Sequence, residues 1–389
     1  MVQSYEEDVV VRLRELFEAA APTVGRKYQH IEDLVFTNGS NGGLHAVERM
    51  RGMSQQGGSI ELKWDGSPVV YWGRDAEDRF MLIPKNAWDY LKRGKKETTN
   101  GVSTLMTSPK DIENFILNTG KTEPGKERQR QAYAKQLADL WPYFESISPE
   151  KGFIEGGLLF YPGKMPIINK ATNTYDFTPN ITTFHIPVDS DLGQRIRGAK
   201  LMVAATGYYS SLADPTESRY PDAENLSNEN VIVQGTTYVQ DPIEFDQSDL
   251  DQAEQFIEQN STVIDDFIGG VPGLSKPGDI LYKFYNQNLR IEGVKSQFEN
   301  WVKTEFPSGG KAQKILSHPG LNVVLDAVEL LTKAKMKVIA ALNAGTHGGI
   351  KQTKPEGYVQ AHPGGQFKRD LPGQFVKTID QGNWAPRKD

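Results

Sequence analysis

The spacing of the apolar residues changes along the 389-residue chain, and this change limits the possible folds more than any other feature. In residues 59–85 and 152–240, short runs of β-branched and aromatic residues stand between Gly, Pro and Asn, a pattern typical of strands. From residue 245 to 345 the apolar residues recur every three to four positions, as on one face of a helix. The sequence therefore predicts a mixed α+β protein.

The same change in spacing predicts the domain organisation. We expect a core formed by residues 1–240, a helical insert at 245–345, and closing strands of the core in 346–389. Within the core, residues 59–85 are expected to form a three-strand meander. The chain is long enough for about two domains, each with its own apolar core.

The composition excludes several classes of protein. The chain has no cysteine, which excludes disulfides, thiolate catalysis and cysteine metal sites. No apolar run approaches the roughly 18 residues that a membrane span needs, and the acidic, amphipathic N-terminus is unlike a signal peptide. We therefore expect a cytoplasmic protein (in the host cytoplasm if it is viral) without a membrane partner. The net charge of −6 argues against general coating of nucleic acid but allows a local basic cleft.

Lys63 stands between a strand-like run and a turn. Ile60, Leu62 and Trp64 alternate with polar residues, and "DGSP" at 65–68 has the composition of a hairpin turn. A lysine amine attacks a phosphate only in its neutral form, which neighbouring cations favour. The stretch by itself also fits a surface hairpin with a solvated lysine, so the rest of the chain has to decide between the two interpretations.

Further motifs follow in a definite order. "FIEGGLLF" at 153–160 carries Glu155, "EGYV" at 356–359 carries Glu356, and lysines stand at 368 and 377. A lysine strand, two glutamate strands and a final lysine strand in this order resemble the covalent nucleotidyltransferase superfamily, which includes RNA ligases, DNA ligases and mRNA-capping enzymes. "KWDGS" with a late "EGYV" most resembles the RNA ligases of T4-like phages, and "HIEDLVF" at 30–36 resembles a group of phage ligase-like proteins.

This resemblance covers residues 28–210 and 350–385 and leaves the helical insert unexplained. It implies an ATP-grasp-like ligase core of antiparallel sheets with flanking helices. It also implies that Lys63 attacks the α-phosphate of ATP and becomes a lysyl-adenylate. Since only 12 residues follow Lys377, we expect no C-terminal OB-fold domain, which disfavours capping.

The resemblance assigns roles to residues around the nucleotide. Asp65 and Gly66 would shape the turn that exposes the lysine, and Lys85 would lie near the phosphates. Glu155 would accept hydrogen bonds from the ribose hydroxyls, although the family usually has Gly-Glu where this chain has Glu-Gly. Phe184 would stack on the adenine. Each has an ordinary alternative: a solvated Lys85, a strand-edge Glu155 beside a bulge glycine, and a core Phe184.

The closing strands would supply the metal contact and the last lysine. Glu356 would hold a water of a bound Mg²⁺, a hard cation that keeps most of its waters. Lys377 has the better apolar alternation around it and is the favoured contact to the α-phosphate. Lys368, which follows the turn-like "HPGG", is the second candidate.

The function expected from this resemblance is ATP-dependent, RNA ligase-like nucleotidyl transfer, as in nucleic-acid repair. ATP and Mg²⁺ would be the cofactors, and RNA or DNA ends with a 5′-phosphate the partners. Two alternatives stay open at this point: transfer of AMP to a protein or small molecule, and non-catalytic binding of nucleic-acid ends or of a partner protein. The Glu-Gly inversion and the acidic net charge lend the non-catalytic alternative some weight.

Overall fold

The computed structural model describes most of the chain between residues 29 and 383. The described residues are 29–54, 60–64, 66–92, 98–99, 102–119, 125–212, 217–218, 222–239, 242–271, 277–287, 294–307, 310–345, 347, 349–353, 358–360 and 382–383. Runs of strands and runs of helices both occur within them, so the α+β class predicted from the sequence is confirmed.

The secondary structure elements are as follows. The helices are α1 (Leu34–Gly52), α2 (Lys85–Lys92), α3 (Pro109–Asn118), α4 (Glu127–Asp139), α5 (Trp141–Glu145), α6 (Asp191–Ile196), α7 (Ser248–Gln259), α8 (Ser261–Gly269), α9 (Pro277–Gln287), α10 (Val294–Glu305), α11 (Gly310–Leu316) and α12 (Gly320–Ala344). The strands are β1 (Gln29–His30), β2 (Ile60–Leu62), β3 (Val69–Arg74), β4 (Phe80–Pro84), β5 (Thr98–Thr99), β6 (Val102–Ser103), β7 (Gly152–Phe160), β8 (Ile167–Asn169), β9 (Thr174–Phe177), β10 (Thr183–Pro187), β11 (Leu201–Tyr209), β12 (Glu217–Ser218), β13 (Val231–Gln234), β14 (Tyr238–Val239), β15 (Lys351–Thr353), β16 (Tyr358–Gln360) and β17 (Gly382–Asn383).

The chain divides into two compact units, each built from separate segments. Leaving aside the first 23 residues, unit 1 comprises 64–236 and 349–354, and unit 2 comprises 24–63, 237–348 and 355–389. The described part of the predicted insert is helical and contains no strand. It shares unit 2 with α1 because α7, α8 and α12 pack against that helix. This division differs from the predicted one, in which the insert stood apart from everything before residue 240.

Unit 1 is built around a six-stranded sheet in the order β12-β11-β7-β3-β4, with β13 paired to β11. All these pairs are antiparallel except that of β13 with β11. Strand β4 is buried at every residue, which explains why its sequence "FMLIP" is a continuous apolar run. The fully buried Trp72 of β3 donates its indole N–H to the carbonyl of Ile147 at 3.2 Å.

A second sheet of unit 1 has the order β15-β10-β9-β8 and is antiparallel throughout. The residues of β10 alternate between buried and half-buried, as expected for a strand with one apolar and one polar face. Phe184 and Phe177, which are paired across β10 and β9, lie on the buried face. Asp176 and His185 are paired on the polar face.

Unit 2 combines a five-stranded sheet, in the order β1-β17-β16-β2-β14, with the helices α1 and α7–α12. Lys335 of α12 is completely buried, and its Nζ contacts the two carboxylate oxygens of Glu32 at 2.6 and 2.7 Å. Helix α1 bends at Gly39, whose φ is 60°. Asp265 of α8 accepts hydrogen bonds there from the backbone N–H and the hydroxyl of Ser40, at 2.7 and 2.8 Å. Asp265 therefore caps the second half of α1.

The predicted meander at residues 59–85 is wrong. Strand β2 pairs with β14 and β16 in unit 2, whereas β3 pairs with β4 and β7 in unit 1. The local turn signal could not reveal this, because the partner strands of β2 lie far along the chain.

Among the described helices, none is long and apolar enough to cross a membrane.

Candidate functional site

The KWDGS motif and the FIEGGLLF motif meet through their glycines. The backbone N–H of Ser67 donates to the carbonyl of Leu158 at 2.8 Å, and the N–H of Leu158 donates to the carbonyl of Pro68 at 3.0 Å. A Cβ added to Gly66 would lie 2.2 Å from the carbonyl carbon of Gly157, far inside contact distance. Gly66 is therefore required by this close approach of two backbones, and not by a hairpin between β2 and β3.

Glu155 and Lys85 lie on the sheet that receives this turn. Glu155 is on β7 and its carboxylate accepts a hydrogen bond from the hydroxyl of Tyr209 at 3.0 Å. Lys85 is exposed and begins α2, one residue beyond the pair formed by Val70 and Pro84. Gly66 approaches Gly157 at this same end of the sheet. Gly66 and Lys85 thus lie at one end of the sheet, and Glu155 lies within it, paired with Tyr71 of β3.

Phe184 has the environment of the alternative that the sequence left open, a core aromatic residue. Its side chain is completely buried. Its ring is stacked on Trp64, with 4.6 Å between ring centroids, and on Phe177, with 5.5 Å. Adenine could stack on Phe184 only if one of these rings moved. In the structure Phe184 packs against Trp64, the residue that directly follows Lys63.

Lys63 lies at the end of β2 and is half-buried. Strand β2 pairs with β16, and Leu62 is opposite Tyr358 in this antiparallel pair. On its other side the N–H of Leu62 donates to the carbonyl of Thr237 at 2.8 Å. The strand that leads to the lysine and the strand of the EGYV motif are therefore neighbours in one sheet, although they come from opposite ends of the sequence.

The position of β16 is secured by Tyr358, which is almost completely buried. Its hydroxyl donates to the side-chain oxygen of Asn343 at 3.0 Å. His347 Nε2, 3.3 Å from the same hydroxyl, lies 2.8 Å from the carbonyl of Leu342 and so carries its proton toward that carbonyl. Burial raises the pKa of Tyr358, which keeps its hydroxyl protonated.

Four predicted site residues lie outside the described residues: Asp65, Glu356, Lys368 and Lys377. Their roles, and the choice between the two lysines, stay predictions. Of the residues that are described, Lys63 belongs to unit 2, whereas Gly66, Lys85, Glu155 and Phe184 belong to unit 1.

In the part of the chain that the structure describes, no group of three or more His, Asp or Glu side chains could hold a metal ion. The predicted Mg²⁺ contact is Glu356, which is not described. The donor chemistry still fits the ion. Mg²⁺ keeps several waters and takes oxygen ligands from substrate phosphates, so one carboxylate from the protein is sufficient.

The polar face of the β15-β10-β9-β8 sheet carries a hydrogen-bond network that the sequence analysis missed. Asp176 accepts from His185 Nδ1 at 2.9 Å, and His185 Nε2 contacts the hydroxyl of Thr353 at 2.7 Å. Partial burial acts to raise the pKa of Asp176, but hydrogen bonds from Thr174, Asn169 and His185 outweigh it and lower that pKa. The period-2 alternation in "TYDF" and "TFHIP" indicated polar-face residues, but not that they meet across strands.

A comparison with protein-family models identifies the family to which the chain belongs. A model described as a family of unknown function, DUF6267, matches residues 27–87 and 125–368. The protein belongs to this family. The match includes the segments that carry Lys63, Glu155 and Glu356 and ends at Lys368. Neither the curated proteins nor the solved structures contain a match to the chain.

Proposed function

We propose that this DUF6267 member is an ATP-dependent nucleotidyltransferase of the RNA-ligase type that forms a lysyl-adenylate at Lys63. It then joins or adenylylates polynucleotide ends that carry a 5′-phosphate. The proposal includes the finer fold class, an ATP-grasp-like ligase core of the covalent nucleotidyltransferase superfamily. The observation that carries it is the pairing of β2 with β16, which makes the lysine strand and the EGYV strand neighbours.

The proposed chemistry has two transfers of AMP. The neutral amine of Lys63 attacks the α-phosphorus of ATP, a nitrogen–phosphorus bond forms, and the bond to the β-phosphate oxygen breaks with release of pyrophosphate. The amine proton passes to solvent. An oxygen of the polynucleotide 5′-phosphate next attacks the same phosphorus, the nitrogen–phosphorus bond breaks, and the lysine nitrogen takes a proton from solvent and leaves as the amine. In joining, a 3′-hydroxyl finally attacks the activated 5′-phosphate and releases AMP.

Each neighbour of Lys63 is held within its own unit, which supports a role as nucleophile. Before it, Leu62 is hydrogen-bonded within the five-stranded sheet. After it, Trp64 is stacked on Phe184. Positioning of the reacting groups supplies much of the acceleration in phosphoryl transfer, and a nucleophile that directly follows a hydrogen-bonded strand suits this requirement.

Charged groups near the turn support binding of a nucleotide. Lys85 is an exposed cation at the end of the sheet on which the turn packs, a suitable partner for phosphate oxygens. Glu155, on the same sheet, offers carboxylate oxygens to ribose hydroxyls. Bound Mg²⁺, with Glu356 as its proposed protein contact, would neutralise phosphate charge.

The test is covalent labelling. The protein, freed of any pre-bound nucleotide, is incubated with α-labelled ATP and Mg²⁺ and then denatured, and its intact mass is measured. We expect stable label and a mass increase of one AMP in the wild type, and neither in Lys63→Ala. Lys110→Ala, a change of an exposed lysine on α3, is the matched control and should label normally.

The outcomes separate the competing functions. Loss of label on addition of 5′-phosphorylated RNA or DNA, with adenylylated or joined strands as products, supports the proposal. Label that polynucleotide ends never remove would point to transfer of AMP to a protein or small molecule. A wild type that never takes up label would contradict the proposal and leave non-catalytic binding as the better hypothesis.

A further inference from the structure

The polar face of the β15-β10-β9-β8 sheet brings together a hydroxyl, an imidazole and a carboxylate. The hydroxyl of Thr353 lies 2.7 Å from His185 Nε2, and the carboxylate of Asp176 lies 2.9 Å from His185 Nδ1. All three residues belong to unit 1. A hydroxyl, a base within hydrogen-bond distance and a third group that orients the base form a nucleophilic site, which is recognised by geometry and not by sequence position.

The charge of Asp176 determines which nitrogen of His185 carries the proton. Partial burial acts to raise the pKa of Asp176, but hydrogen bonds, including those from Thr174 and Asn169, lower it overall, so the carboxylate is ionised at neutral pH. An ionised carboxylate only accepts hydrogen bonds, so in the neutral imidazole the proton lies on Nδ1 and Nε2 is the accepting nitrogen. The hydroxyl of Thr353 therefore donates to Nε2, and its proton already points at a base.

The hydroxyl is accessible to a reactant. Thr353 is exposed, and the side chains of His185 and Asp176 are 25% and 20% exposed. Lys351 is also exposed and is paired with His185 across β15 and β10, so its side chain shares the face of the hydroxyl. The Cα atoms of Lys351 and Thr353, two residues apart on β15, are separated by about 7 Å. A cation at this range can reach the oxygen that becomes negative when a carbonyl carbon is attacked.

We propose that Thr353 is a nucleophile that accepts an acyl group from esters, with His185 as its general base and Asp176 as the residue that positions the imidazole. The hydroxyl oxygen forms a bond to the carbonyl carbon, and its proton passes to His185 Nε2. The bond from this carbon to the leaving oxygen then breaks, the leaving alcohol takes the proton, and Thr353 becomes an acyl ester. Attack by water, with His185 again as base, releases the acid and restores the hydroxyl. The site uses neither a nucleotide nor Lys63, so it goes beyond the proposed function.

The experiment uses p-nitrophenyl acetate as the probe. Absorbance follows the release of p-nitrophenolate, and fragment mass spectrometry locates the acetyl group. We expect acetyl on Thr353 in the wild type and in Thr353→Ser, which keeps the hydroxyl, but none at this position in Thr353→Val. Thr178→Val is the matched control and should react like the wild type, because Thr178 is another exposed hydroxyl beside this sheet but contacts the hydroxyl of Thr183, at 2.8 Å.

Further variants separate proton transfer from a structural role. His185→Gln should slow acetylation of Thr353 by about 10²-fold or more, the usual contribution of a general base. Free imidazole should restore part of the rate in His185→Ala, which it would not do if the histidine only supported the sheet. Asp176→Asn allows the other tautomer of the imidazole and should also slow the reaction. Asp176→Glu, which keeps a carboxylate, should recover part of that loss.

The outcomes that would overturn the proposal are equally definite. One is a wild type in which acetyl groups are confined to lysines. Another is a His185→Gln protein that acetylates Thr353 at the wild-type rate. A third needs no variant to fold: if Thr353 in the wild type is acetylated no faster than Thr178 in the same molecules, the imidazole does not activate the hydroxyl.

Discussion

Replacing Gly66 by alanine tests whether the contact between the turn and β7 positions Lys63. The added Cβ would lie 2.2 and 2.3 Å from the carbonyl carbon and oxygen of Gly157, and 2.7 Å from the carbonyl oxygen of Leu158. All three atoms belong to backbone within a sheet, so no flexible side chain can move aside. To reach ordinary contact the turn or β7 must shift by about 1 Å, which is on the scale of the backbone shifts that overpacking forces.

Two opposing contributions determine how much Gly66→Ala changes the free energy of unfolding. Overpacking of this kind costs about 1–3 kcal/mol. Gly→Ala also reduces the conformational entropy of the unfolded chain. This stabilises the folded protein by about 0.4–1 kcal/mol where alanine can adopt the backbone conformation. We therefore expect Gly66→Ala to lower the free energy of unfolding by about 1–2 kcal/mol, which leaves the protein folded. A displacement of about 1 Å in the turn that follows Lys63 should slow formation of the lysyl-adenylate by about 10²-fold.

Urea denaturation and the initial rate of AMP uptake measure the two effects. Gly52→Ala is the control, because Gly52 lies in α1 and a Cβ there meets nothing within 4 Å. It should be neutral or slightly stabilising, and its labelling rate should equal that of the wild type. A Gly66→Ala protein with wild-type stability and wild-type labelling would refute the reasoning, since it would mean that the two backbones do not meet. A stability loss without any change in rate would show that the turn does not position the lysine.

Three further predictions concern contacts inside each unit. Lys335→Met removes the ammonium that contacts the buried carboxylate of Glu32 and should destabilise by about 3–5 kcal/mol in chemical denaturation. Lys335→Met combined with Glu32→Leu should recover most of this stability, and a double variant no more stable than the single one would contradict the prediction. Asp265→Ala removes the cap at Ser40 and should cost about 0.5–2 kcal/mol, whereas a cost below the error of the measurement would show that the kink needs no cap. Because the pKa of Asp176 is lower in the folded than in the unfolded protein, its stabilisation is present at neutral pH and is lost as the pH falls through the acidic range below about pH 5. Asp176→Asn should therefore flatten the acid side of the plot of melting temperature against pH, and a variant profile parallel to that of the wild type would exclude this contribution.

Local patterns were sufficient for the secondary structure that the sequence predicted well. The 3.6-residue period in the second half of the chain appears as the helices α7–α12. The short β-branched runs around Glu155 and Phe184 appear as β7 and β10. These predictions succeed because backbone geometry and burial of one face act over a few neighbouring residues. Gly66 was expected to shape a turn, but the sequence did not indicate the backbone contact with Gly157 that requires a glycine there.

The partners of each strand and the environment of each side chain were decided only by the tertiary structure. The turn composition at 65–68 predicted a hairpin, but β2 instead pairs with β14 and β16, and the turn packs on β7. Phe184 has the sequence context of a ligand-stacking ring, yet Trp64 and Phe177 stack on it. These features depend on contacts between residues far apart in the chain, and the choice among such contacts is made by the burial of whole faces and not by the residues next to them in the sequence.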